Sequence, residues 1–244
     1  MFIDIHCHLE MCQNIPQAIE NAKKEKVGLI LTQGINFDSN RKALAFSKQF
    51  KEVKAALGIY PIDALMMSDS GINKEIEFIK QNNPHAIGEV GIDLKESNNS
   101  KKQEENFIKF INLSKELDIP LIVHSRKAEE LCLNILEKSM AKRVIMHCFS
   151  GKLKLIKKII ENSWYLSIPA SIVYSAQAQQ IAKETPLENK FCETDSPYLH
   201  PERKMNNEPA NVLAVYKKIA EIKDISLSEC EKAIENNYNT LFKG

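Results

Sequence analysis

The chain has almost no net charge: 33 lysines and arginines stand against 32 aspartates and glutamates over 244 residues, a formal balance of +1. That removes any global argument for a nucleic-acid partner, so a phosphate-binding surface has to be local. No two of the six cysteines (Cys7, Cys12, Cys132, Cys148, Cys192 and Cys230) form a Cys-x-x-Cys pair. They lie mostly inside apolar runs, as small buried thiols do. No apolar run is long enough to cross a membrane, which argues against a membrane partner. No leader precedes the first strand, so a reduced cytoplasm is the expected compartment. No linker, low-complexity tract or break in composition divides the chain, so one domain over 1–244 is expected, as a monomer.

An apolar fraction of 43% is enough for a real core. Apolar, β-rich runs recur at about 2–6, 27–32, 53–59, 85–90, 120–125, 143–148, 164–168 and 190–194. Those from Val27 to Thr32 and from Pro120 to His124 are nearly continuous, as suits parallel strands covered on both faces. Helical patterns fall at about 15–25, 38–50, 73–82, 100–117, 127–139, 152–162, 174–184, 208–222 and 226–241. Ser226 with Glu229 three residues on predicts the start of the last one. Strands alternating with helices eight times over indicate an α/β fold, a (β/α)₈ TIM barrel. The longest loops, 60–72, 93–100 and 195–208, then follow strands three, four and eight on the catalytic face.

Near the start stands Phe2-Ile3-Asp4-Ile5-His6-Cys7-His8. Side chains alternate along a strand, so His6 and His8 share a face and Cys7 takes the other. Two imidazoles so placed can grip one metal ion; alternatively they are ordinary polar residues where a strand meets a loop. The other strand ends weigh on that choice. Strand four carries Glu89 between Gly88 and Gly91, strand five ends in His124, strand six in His147, and strand eight in Asp195. Four of six histidines thus fall at one end of three strands, which favours a metal centre. Of the others, His85 precedes strand four and reads as structural, and His200 as a solvated loop residue. Cys7 and Cys148 each follow a candidate ligand and are expected to turn away as buried thiols. Asp4 is expected to support the ligands from behind, and Asp93 to do the same or to cap its loop.

This set suffices for two neighbouring divalent ions: His6, His8 and Asp195 on one, His124 and His147 on the other, Glu89 between them. The ions would be zinc, manganese or magnesium; imidazole-rich sites suit zinc, manganese or iron better than magnesium. Paired metals activate water and clamp both oxygens of a displacement at phosphorus. Asp195 and Glu89 are then the candidate catalytic residues. Arg126 is a candidate phosphate clamp or a rim salt bridge. Lys152 could meet a phosphate or belong to a solvated face. Tyr60 and Tyr198 are candidates for stacking on bases or simply apolar rim residues.

Asp4-Ile-His6-Cys7-His8-Leu9, Gly88-Glu89-Val-Gly-Ile-Asp93, Pro120-Leu-Ile-Val-His124-Ser125-Arg126, His147-Cys148-Phe149-Ser150-Gly151 and Glu193-Thr194-Asp195-Ser-Pro197-Tyr198-Leu199 follow one another in order. With Asn207-Glu208-Pro209 and Asn237 to Phe242, the chain resembles the TatD-like metal-dependent DNases, a branch of the amidohydrolase-type barrels. The resemblance spans the whole chain. It implies a (β/α)₈ barrel, divalent metals and hydrolysis of nucleic-acid phosphodiesters, as a 3′–5′ exonuclease on single-stranded DNA. The chain departs from the family pattern at Tyr60, commonly histidine there; at Ile62, commonly polar; at Lys127, often aspartate; and at Leu94 to Ser97, where aromatic and basic residues are frequent. None of these removes a candidate ligand. Two other readings compete: hydrolysis of another ester or amide, such as an aminoacyl ester, on the same barrel, and a metal-retaining binding protein without catalysis.

Overall fold

The computed structural model describes residues 1–243. Among these, the strands are β1 (Phe2–Cys7), β2 (Val27–Gln33), β3 (Val53–Leu57), β4 (Ala86–Gly91), β5 (Leu121–His124), β6 (Val144–Met146), β7 (Tyr165–Ile168) and β8 (Lys190–Cys192). The helices are α1 (Ile15–Lys24), α2 (Phe37–Gln49), α3 (Pro61–Leu65), α4 (Asp69–Asn82), α5 (Ser100–Leu117), α6 (Glu129–Lys138), α7 (Lys154–Glu161), α8 (Ala176–Glu184), α9 (Val212–Lys223) and α10 (Leu227–Lys243). The strands pair in parallel in sequence order, β1 to β8, so the expected TIM barrel is the fold. Every residue of β1, β4, β6, β7 and β8 is buried, as suits parallel strands covered on both faces.

The barrel closes through the backbone just past β8. Asp195 N–H donates to His6 O at 3.0 Å and His8 N–H to Ser196 O at 2.8 Å. Asp4 reinforces this seam from inside: its carboxylate accepts from Thr194 N at 2.8 Å and Thr194 Oγ1 at 2.6 Å. The end of β1, carrying His6 and His8, and the segment past β8, carrying Asp195, are thereby locked together. Outside, α9 docks on β1 through Tyr216, whose hydroxyl accepts from Ile3 N at 3.1 Å. The last helix starts as expected: Ser226 Oγ accepts from Glu229 N, and Glu229 Oε2 accepts from Ser226 N at 2.8 Å.

The differences from expectation lie in the loops. The segment 60–72 holds α3 and the start of α4. Pro61 opens a helix too short to show a period, and Ser68 caps Gly71 N, so α4 begins before its apolar pattern does. The helix expected from 208 begins as a 3-10 turn at Pro209–Asn211. No described helix is long and apolar enough to cross a membrane.

Candidate metal centre

Strand ends at one mouth of the barrel bring His6, His8, Glu89, His124, His147 and Asp195 together, around a cleft of ≈ 580 Å³ that all of these but His6 line directly. Two glycines permit the approach of β4 to β5. A methyl group on Gly91 would meet His124 O at 2.0 Å, and one on Gly88 would meet Ile122 Cβ at 2.6 Å. Gly91 also holds φ +143, which side chains rarely adopt.

The first group of atoms has a definite shape. His6 Nε2 and His8 Nε2 lie 3.3 Å apart. Each is 3.5 Å from Glu89 Oε2 and 3.7 Å from Asp195 Oδ1. Each of the two nitrogens thus lies close to both carboxylates, as nitrogen and oxygen ligands gathered around one zinc-like ion do. These residues fit a divalent cation. The second group is less open. His124 Nδ1 is hydrogen-bonded to Glu89 Oε1 at 2.6 Å, and His147 Nε2 lies 3.8 Å from that same oxygen and 3.9 Å from Asp195 Oδ1.

Carboxylates stand behind the second pair of histidines. His147 Nδ1 donates to Glu193 Oε2 at 2.9 Å, which also accepts from Ser167 Oγ at 2.6 Å. His124 Nε2 donates to Asp93 Oδ2 at 2.9 Å, which also accepts from the Tyr60 hydroxyl at 2.6 Å. The other Asp93 oxygen accepts from Lys95 N and Glu96 N, so Asp93 supports His124 and caps its loop at once. Glu193 and Ser167 were not singled out by the sequence. Both stand past or inside strands whose apolar pattern carries no sign of them, and only the fold places them behind His147.

The electrostatics follow from this packing. Burial alone would lower the His147 pKa, but the charge and hydrogen bond of Glu193, with Glu89 and Asp195, raise it to about 10. His124 and His8 are likewise raised against burial, by Asp93 and Glu89 and by Asp195. His6 is lowered by burial and by His147. Burial opposes ionisation of Glu89 and Asp195, yet the surrounding imidazoles hold both below the usual carboxylate range. The site is built to hold positive charge, and protons compete with metal ions for the same lone pairs.

The rim residues divide. Arg126 lines the cleft, is half exposed and pairs with Glu96 at 3.3 Å, the rim salt bridge. Tyr198 lines it too, 53% exposed, edge-on to His8 at 6.2 Å. Tyr60 lines it but directs its hydroxyl to Asp93. Lys152 is exposed at the approach to α7 and is not among the residues that line the cleft. Cys7 is a buried thiol, as expected. Cys148 is not: it is partly exposed and lines the cleft. β6 ends at Met146 and Cys148 has φ 44, so strand alternation no longer applies there. His85 packs against Tyr238 and Phe242 at the opposite end, and His200 stays outside the cleft, its Nδ1 accepting from Glu202 N.

Comparison with known proteins agrees with this geometry. The family model described as TatD related DNase matches residues 3–243. The chain is 35% identical over 247 residues to the uncharacterized metal-dependent hydrolase MJ1582 of Methanocaldococcus jannaschii, covering 99% of this chain and 97% of that protein. It is 30% identical over 257 residues to human deoxyribonuclease TATDN3, covering 98% of this chain and 94% of that protein. In fold it is similar to the crystal structure of YJJV, a TATD homolog from Escherichia coli k12, with a TM-score of 0.91 and 23% identity over 100% of this chain and 98% of the other. The match runs from β1 to α10 and includes every strand end that supplies the site, and on it the chain belongs to the TatD related DNase family.

Proposed function

We propose that the protein is a metal-dependent phosphodiesterase acting on DNA, removing nucleotides from the 3′ end of single strands. The observation that carries this reading is the convergence of His6 Nε2 and His8 Nε2 on Glu89 Oε2 and Asp195 Oδ1, with His124 and His147 beside them. In this reading two divalent ions would be held, one by His6, His8 and Asp195 and the other by His124 and His147, with Glu89 common to both. Bound ions of this kind supply Lewis acidity and make water acidic enough to ionise near neutral pH.

The chain's own groups do the rest. Asp195 reaches the centre of the site and takes the proton of the water that attacks phosphorus. Glu193 and Asp93 keep His147 and His124 turned toward the centre. Arg126, half exposed at the mouth, offers a planar fork to a phosphate oxygen in exchange for Glu96. The exposed ring of Tyr198 gives an unstacked base a surface to lie on. The test is metal stoichiometry alongside cleavage of a generic phosphodiester diester. The reading expects two ions per chain and cleavage that stops on chelation; a fully metallated protein that cleaves only carboxylic esters or amides overturns it.

A further inference from the structure

We infer that Tyr60 is a positioning residue that sets the ring of His124 through Asp93, and so controls the affinity of one half of the metal centre; the inference rests on the metal reading above. Tyr60 is held in place by its backbone. Its N–H donates to Ile35 O at 2.8 Å and the chain turns directly into α3 at Pro61. Its ring stands edge-on to the His124 imidazole, 5.0 Å between centres. Its hydroxyl donates to Asp93 Oδ2 at 2.6 Å, and burial together with that bond raises its pKa, so the proton stays on the phenol.

Asp93 is held as firmly. Oδ1 is occupied by Lys95 N and Glu96 N, and its own N–H donates to Gln103 Oε1 at 2.7 Å. Only Oδ2 faces the site, shared between the Tyr60 hydroxyl and His124 Nε2. An ionised carboxylate accepts and does not donate, so Nε2 carries a hydrogen toward Asp93, and a metal ion would take Nδ1 in place of its hydrogen bond to Glu89 Oε1. Without the phenol, Oδ2 would lose one of its two donors and the fixed direction that it imposes on the ring.

The same order of groups recurs on the next ligand: the Ser167 hydroxyl, Glu193 and His147. His6 Nδ1 and His8 Nδ1, by contrast, are buried without a hydrogen-bond partner among the described residues. Hydroxyl and carboxylate chains therefore steer only the His124 and His147 half. Changing their outer ends is expected to act on one ion and spare the other.

The experiment titrates metal-free protein with Mn²⁺ by calorimetry, comparing wild type with Tyr60→Phe, which keeps the ring. Long-range ¹H–¹⁵N spectra of the zinc-loaded proteins report which nitrogen of His124 is protonated. The expected result is two binding steps in both proteins, one unchanged and one weakened about 10-fold or more in Tyr60→Phe. His124 should lose its single Nε2–H pattern, with an unchanged melting temperature for the metal-free fold. Ser167→Ala should weaken the same step. Equal affinities and an unchanged His124 pattern in Tyr60→Phe overturn the inference. If wild type binds only one ion, the two-metal reading fails instead, and the His124 pattern alone decides the role of Tyr60.

Discussion

Asp195 is the residue on which the chemical reading turns, because its Oδ1 lies 3.7 Å from two imidazole nitrogens and 3.9 Å from a third. Asparagine has nearly the same shape and still offers an oxygen, but it cannot take a proton near neutral pH. Asp195→Asn is therefore expected to keep the fold and much of the metal while losing turnover by roughly 10²-fold or more. His6→Ala should lose metal and turnover together; parallel metal analysis and rate measurement separate the two. Cys7→Ala should leave the metal content unchanged, since Cys7 Sγ points to Leu31 O on the other side of β1. The six candidate ligands were legible because each stands at the same end of a strand. Their supports were less so: Asp93 was read as an alternative and Glu193 and Ser167 as nothing, because a support is defined by which side chain lies across from it. Cys148 misled for the opposite reason, since alternation was carried past the last strand residue.

At the scale of elements, the pairing of β4 with β5 is the joint that the site depends on. Gly91→Ala places a methyl group 2.0 Å from His124 O at a φ that alanine resists. It is expected to destabilise the fold by more than about 2 kcal/mol, read as a lowered melting temperature with reduced metal uptake. The C-terminus of α8 offers a second test. Buried Lys190 donates to Ala182 O at 2.6 Å, and burial, with Lys223 nearby, lowers its pKa to about 7. Between about pH 7 and pH 10 the unfolded chain holds a proton there that the folded chain does not, so stability from this group rises with pH. In metal-loaded protein, denaturant curves of wild type and Lys190→Met should shift in favour of wild type as pH rises through that window; a constant difference would contradict it. Every strand was legible as an apolar run, while α3 was not, because five residues cannot display a helical period.

For the whole molecule, closure of the barrel brings residues 6 and 195 into one backbone hydrogen bond, and the metal centre sits on that seam. The site therefore reports on the fold and the fold on the site. His147, raised to about 10 without metal, stabilises the metal-free protein fully below its unfolded value near 6.5, and that contribution is lost as pH rises toward about 10. An entering ion displaces the same proton. Mn²⁺ affinity should accordingly rise between about pH 6 and pH 8, by up to roughly tenfold per unit for each proton displaced, with protons released on binding. The central claim is tested most directly by offering metal-reconstituted protein an end-labelled single-stranded DNA, with chelated protein and Asp195→Asn beside it. The account predicts stepwise shortening from the 3′ end by the wild type, abolished by chelation and nearly abolished in Asp195→Asn. Intact DNA in the presence of fully metallated wild type would contradict it.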